Sequence, residues 1–180
     1  MTMFTREEKI ELIGLARQSI ESTLLNKNES PETKCENLKK KGAAFTTLMI
    51  DNILRGCIGY IQAVKPLYIT VWETAQSAAF GDPRFPSLTI DEFPKIKIEL
   101  SVMTPLQKID DYYDFEIGKH GLYIKHGFYS GLLLPQVALK YKWDKEKFLR
   151  EVCYKAGLPA DTYKQGADIF KFAAEIFSED

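Results

Sequence analysis

The sequence predicts an α+β fold, an antiparallel sheet with helices packed along it. Three patterns carry that expectation. Ile96, Ile98, Leu100 and Val102 alternate with Lys97, Glu99, Ser101 and Met103, the period of a strand with one buried and one wet face, as in antiparallel sheets. Two pairs of apolar runs close around turn residues, Asp51-Asn52 in one and Gly127 in the other, and read as β-hairpins. Each hairpin is followed by helical sequence, so 43–80 and 121–156 suggest two similar halves. A length of 180 residues suits one domain, or two small lobes at about 1–105 and 106–180 sharing a core.

In chain order, Thr5 and Glu8 form a capping box. Ile10, Ile13, Ala16 or Arg17, Ile20 and Leu24 then recur at helical spacing, with Lys9, Arg17 and Glu21 on the polar face. A helix is expected over about 6–25, ended by the turn-rich 26–31. The segment after Pro31 that holds Cys35 reads equally as a short element or a loop. Strands at 43–50 and 54–61 make the first hairpin. Pro66 opens a helix whose buried stripe is Leu67, Val71, Ala75 and Ala78, with Glu73 off the stripe. Pro83 and Pro86 stiffen an extended loop after Gly81. Thr89 and Glu92 form a second capping box, for a short helix stopped by Pro94. Acidic and aromatic residues at 107–116 fit a loop or a short helix. Strands at 121–126 and 128–134 make the second hairpin, and Pro135 opens a helix. Asp144 caps another helix, which buries Phe148, Leu149 and Val152 and stops at Gly157. The 169–177 stretch closes the chain as a strand.

A formal net charge of −1 gives no electrostatic case for nucleic acid. Cys35, Cys57 and Cys153 are odd in number and widely spaced, which argues against a disulfide framework or a Cys-x-x-Cys metal site. That fits a reducing, cytoplasmic setting. Residues 1–17 are charged and periodic, without the apolar centre of a signal peptide, and no run is long enough to span a bilayer.

The chemistry gathers on Leu54-Arg55-Gly56-Cys57-Ile58-Gly59-Tyr60. In a regular strand Arg55, Cys57 and Gly59 share one face. A guanidinium beside a thiol favours thiolate, and the missing side chains of Gly56 and Gly59 admit a ligand or another backbone. The plainer alternative is a bulged core strand with a buried, inert cysteine, the usual fate of a free thiol. The stiff loop presents Asp82 and Arg84. They read as a site at low ordering cost, or as a turn cap and a solvated cation beside a core Phe85. Glu73 is either solvated or turned toward Arg55. His120 and His126 would face the same way on a regular strand, but no third ligand is in view, so no metal is expected.

The motifs LRGCIG at 54–59, DPRFP at 82–86, GLLLPQVA at 131–138, Trp143 and KAGLP at 155–159 resemble the AMMECR domain family. Prokaryotic members of that family are called AmmeMemoRadiSam system protein A. The matches run from about Phe45 to Pro159, in the family's order. The resemblance implies a single domain of α+β fold, with an antiparallel, partly barrel-like sheet and flanking helices. It also implies association with a Memo-type protein and a radical S-adenosylmethionine protein. The chain lacks a CxxxCxxC motif, so it is not itself the radical enzyme. It departs from the family at Tyr60, where many relatives carry a small or hydroxyl residue, and at Lys140-Tyr141-Lys142, where an acidic residue is common.

The preferred functional reading is a non-catalytic module for a small ligand or a protein. In it Arg55, Glu73, Asp82 and Arg84 ring an open cleft floored by Gly56 and Gly59. The alternative is an enzyme with Cys57 as nucleophile and Glu73 or His126 as base or orienter. It ranks second because a lone cysteine without a sequence-adjacent base is not a catalytic signature. Nucleic-acid binding ranks third on charge. No cofactor is expected.

Overall fold

The computed structural model describes residues 3–179 and divides into two compact units. One runs through Met103 and takes back the chain from Glu175; the other is Thr104–Ala174. Secondary structure is α+β, and every strand pair with an assigned register is antiparallel.

The first unit opens with helix α1 (Arg6–Leu24), capped as expected by the Thr5–Glu8 box. Its buried face differs from the expected stripe. Leu12, Leu15, Ala16, Ser19 and Ile20 are buried, whereas Ile10 is 62% exposed. Polar groups turn the helix: the Ser19 hydroxyl donates to the Trp72 carbonyl, and Arg17 ion-pairs with Glu179 and donates to the Ile96 carbonyl. The Cys35 segment is irregular, with turns at 36–39.

Strands β1 (Ala43–Ile50) and β2 (Ile53–Gly59) form the hairpin around Asp51 and Asn52. Both turn residues have positive φ (52° and 63°), as a two-residue turn of this hand requires. Strand β3 (Lys97–Met103) pairs with the other edge of β1, so β2 is outermost. Helix α2 (Leu67–Gln76) buries the predicted stripe and continues as a π-helical turn, Ser77–Gly81. Helices α1 and α2 meet Leu48, Ile98 and Leu100 in one apolar core. Only half of the expected Thr89–Glu92 box forms: the Glu92 carboxylate accepts from the Thr89 N–H and hydroxyl, the Thr89 side chain caps no backbone N–H, and only a three-residue 3₁₀ turn follows, Phe93–Lys95.

In the second unit, 107–116 contains a short strand, β4 (Gln107–Ile109), and then turns, with no helix. Strands β5 (His120–His126) and β6 (Tyr129–Leu133) form the second hairpin around Gly127, whose φ is 59°. Helix α3 (Pro135–Lys140) starts on its proline, and α4 (Lys145–Lys155) on an Asp144 cap. Phe148, Leu149, Val152 and Cys153 from α4 pack with Leu122, Ile124 and Ile169. Strand β7 (Asp168–Ser178) pairs with β4 and β5 through its first half and gives its last residues to the first unit.

Candidate functional site

Strand β2 is not regular. Met49 pairs with Leu54 and Leu48 with Gly56, which leaves Arg55 as an extra residue in a β-bulge. The bulge resets the alternation, so Leu54, not Arg55, shares a face with Cys57 and Gly59. The expected cation beside the thiol is absent because Arg55 swings to Glu92. Arg55 Nε and Nη2 reach the two Glu92 oxygens at 2.8 and 3.0 Å, and Nη1 is buried without a partner among the described residues. The Arg55 guanidinium and two Thr89 donors hold the Glu92 carboxyl down to about 2.

The glycines do not floor an open cleft. A β-carbon on Gly56 would stand 2.1 Å from the Ala78 carbonyl oxygen, because the π-helical turn presses its backbone onto the strand. A β-carbon on Gly59 would stand 2.3 Å from the ring of Phe45, the residue opposite it in the ladder. Both absent side chains are replaced by the chain's own atoms.

The same π-helical turn delivers Asp82 to the outer edge of β2. The Cys57 N–H donates to Asp82 Oδ2 at 2.9 Å, and Arg84 Nη2 donates to the Cys57 carbonyl at 3.2 Å. Arg84 Nε and Nη2 grip the same carboxylate at 2.9 and 2.6 Å. Asp82 and Arg84 thus supply the acceptor and donor that a neighbouring strand would have supplied. Asp82 is buried and Arg84 about half exposed. Hydrogen bonding from Arg84 outweighs burial and holds the Asp82 carboxyl well below the usual carboxylate range. The guanidiniums of Arg84 and Arg55 lie 5.4 and 5.9 Å from the centre of the Phe85 ring.

The Cys57 side chain is half-buried, on the sheet face turned away from α1 and α2. Its Sγ meets Thr47 Oγ1 at 3.3 Å. Thr47 is paired in turn with Glu99 on β3. The row Cys57–Thr47–Glu99 therefore crosses three strands. Glu99 is half-buried and makes no hydrogen bond or ion pair among the described residues, and burial pushes its carboxyl up. Sequence reasoning passed over Thr47 and Glu99. The wet side of the 96–103 pattern carried Glu99, but the register that brings it level with Cys57 is written in no single strand.

Glu73 takes Lys65 Nζ on both oxygens, at 2.7 and 2.8 Å, and does not partner Arg55. His126 is exposed at the end of β5, in the second unit. His120 accepts from the Glu116 N–H, and its charged form is disfavoured chiefly by burial. Among the described residues no three His, Cys, Asp or Glu side chains gather as a metal site, and no helix is long and apolar enough to cross a membrane. Cys153 is fully buried in the core of the second unit.

Comparison with known proteins gives consistent matches along most of the chain. A family model described as AMMECR1 matches residues 13–177. Protein MJ0810 of Methanocaldococcus jannaschii is 42% identical over 99% of this chain and 94% of its own length. Protein NEQ441 of Nanoarchaeum equitans is also 42% identical, over 95% of this chain and 100% of its own. The crystal structure of the uncharacterized protein PH0010 from Pyrococcus horikoshii matches with a TM-score of 0.93 and 37% identity, covering 99% of this chain and 95% of that one.

Proposed function

The chain belongs to the AMMECR1 family, and on that premise we propose that it is a non-catalytic binding component, taking a small ligand or a protein segment on the sheet face that carries Cys57. One observation carries the reading: the thiol's polar neighbour is the Thr47 hydroxyl, which is no base, while the two guanidiniums nearest in the frame, Arg55 and Arg84, are already bound to the carboxylates of Glu92 and Asp82. Glu73, one of the two residues considered as bases, is engaged with Lys65. Arg55, Gly56, Gly59, Asp82 and Arg84 build a rigid frame around a half-exposed polar row. Rigid frames lower the ordering cost of binding. The associates are a Memo-type protein and a radical S-adenosylmethionine protein in the cytoplasm, as the motif resemblance suggests. A net charge of −1 disfavours nucleic acid.

The test pairs reactivity with binding. Iodoacetamide labelling near neutral pH, mapped by mass spectrometry, is expected to modify Cys57 in the folded protein no faster than in urea. Calorimetric titration with a purified Memo-type protein is expected to give one affinity for the wild type and Cys57→Ser. Thr47→Arg, which fills the face from outside the core, is expected to weaken it at least tenfold. Faster labelling in the folded state, or loss of affinity in Cys57→Ser, overturns the reading.

A further inference from the structure

The strand order β2-β1-β3-β7-β5-β6 leaves two outermost strands. Asp82 and Arg84 occupy the rim of β2 at Cys57. The rim of β6 is bare. Its hairpin with β5 turns in two residues, so Tyr129, Gly131 and Leu133 exchange backbone bonds with β5, and Ser130 and Leu132 turn theirs outward. Among the described residues nothing bonds the N–H or C=O of Ser130 or Leu132. The two outermost strands are otherwise built alike. A β-carbon on Gly131 would stand 2.5 Å from the Ala156 nitrogen, because the end of α4 presses on β6 as the π-helical turn presses on Gly56. Helix α4 thus covers one face of β6 and leaves its rim open. Phe128, at the tip of the hairpin, is fully exposed, and Tyr129 is more than half exposed, apolar surface that is costly to leave in water. Two exposed lysines flank the rim, one on each face. Lys125 is level with Ser130 on β5, and the backbone of Lys155 lies over Gly131 on the α4 side. Neither makes an ion pair among the described residues. Asp168, level with Lys125 on β7, holds Lys108, and Glu151, one turn before Lys155, holds Lys147.

We propose that β6 accepts an added strand: an extended, acidic segment of a partner protein pairs with the outward groups of Ser130 and Leu132, its carboxylates meeting Lys125 on one face and Lys155 on the other. Main-chain bonds to an open edge supply affinity without regard to sequence, and the flanking charges choose the partner. Side chains alternate along a strand, so such a segment presents carboxylates to both faces at once. A second copy of β6 would bring the same lysines to the shared edge, which favours a partner of opposite charge. Phe128 and Tyr129 offer apolar contact where the added strand passes the tip. This site lies within the second unit and goes beyond the binding reading above, since it uses no residue of the Cys57 face.

The probe is the blocked peptide acetyl-Glu-Val-Glu-Glu-Val-Glu-amide, which as a strand shows carboxylates on both faces. Titrated into ¹⁵N-labelled protein near neutral pH, it is expected to give saturable amide shifts along Tyr129–Leu133 and to slow hydrogen exchange at Ser130 and Leu132 at least tenfold. The counterpart acetyl-Lys-Val-Lys-Lys-Val-Lys-amide is expected to do neither. Ser130→Pro removes an outward N–H and leaves the β5 ladder intact, a substitution that edge strands accept; its affinity is expected to fall at least tenfold. Lys125→Glu keeps every backbone donor and reverses one charge, with the same expected loss, and carries the test if amide dispersion shows the proline variant unfolded. Thr47→Arg, which fills the Cys57 face, is expected to bind the peptide as the wild type does; weaker binding there moves the peptide to that face and overturns the proposal. Shifts that do not saturate, or that persist unchanged in Lys125→Glu, also overturn it. So does self-association in sedimentation velocity that Ser130→Pro abolishes, which gives the edge to a second copy. Flotation with phosphatidylcholine–phosphatidylserine vesicles that Phe128→Ser abolishes, without any response to the peptide, gives the tip to a membrane and overturns it as well.

Discussion

Asp82 and Glu99 are carboxylates of one unit that burial and bonding push in opposite directions. Arg84, then the N–H of Cys57, favour the charged form of Asp82 against the cost of burial. A carboxyl whose pKa drops on folding adds stability above its unfolded value of about 3.9, and that contribution fades as the pH falls toward the folded value. Asp82→Asn is therefore expected to cost about 2–3 kcal/mol at neutral pH, the range for hydrogen bonds to a buried charge. The gap should narrow in increasingly acidic buffer. Glu99 has the reverse sign. Burial raises its pKa on folding, so its ionisation opposes the fold once the pH rises above the carboxyl range. Urea unfolding of Glu99→Gln is expected to show a small gain at neutral pH that disappears on acidification.

Among the elements, the hairpin and the loop that follows α2 form one device, although 25 positions separate Cys57 from Asp82. The π-helical turn brings the Ala78 carbonyl onto Gly56 and Asp82 onto Cys57, so the two motifs specify each other. Gly56→Ala places a β-carbon against backbone that cannot swing aside, and is expected to cost about 3 kcal/mol or more in thermal or urea unfolding. The first hairpin was legible because Asp51-Asn52 is a turn signal with its own physics, positive φ in sequence. The face of α2 was legible because its apolar residues lie in a single stripe. The Arg55 bulge was not legible, since an extra strand residue leaves no compositional trace and resets every later side chain. Partner choice was equally hidden. Arg55 finds Glu92 and Glu73 finds Lys65, pairings decided by the folding of the chain around them. The rotation of α1 escaped because Ser19 is buried by a hydrogen bond that no hydropathy pattern records.

Across the whole molecule, the first unit is closed by both ends of the chain. Glu175 on β7 accepts the N–H groups of Met3 and Phe4 and pairs with Lys9. Glu179 binds Arg17 and the N–H of Ile98. Removing the chain beyond Ala174 strips α1 of these partners, so amide hydrogen exchange over Arg6–Leu24 is expected to quicken roughly tenfold or more. Protection between β5 and β6, whose partners lie within the second unit, should persist. The Asp82–Arg84 clasp also governs how one molecule meets another. An outermost strand with bare N–H and C=O groups is a template on which further chains can stack into fibrils, and a carboxylate and a guanidinium already occupy those groups at Cys57. At this rim, resistance to self-association is built from the same two side chains that hold the hairpin in place.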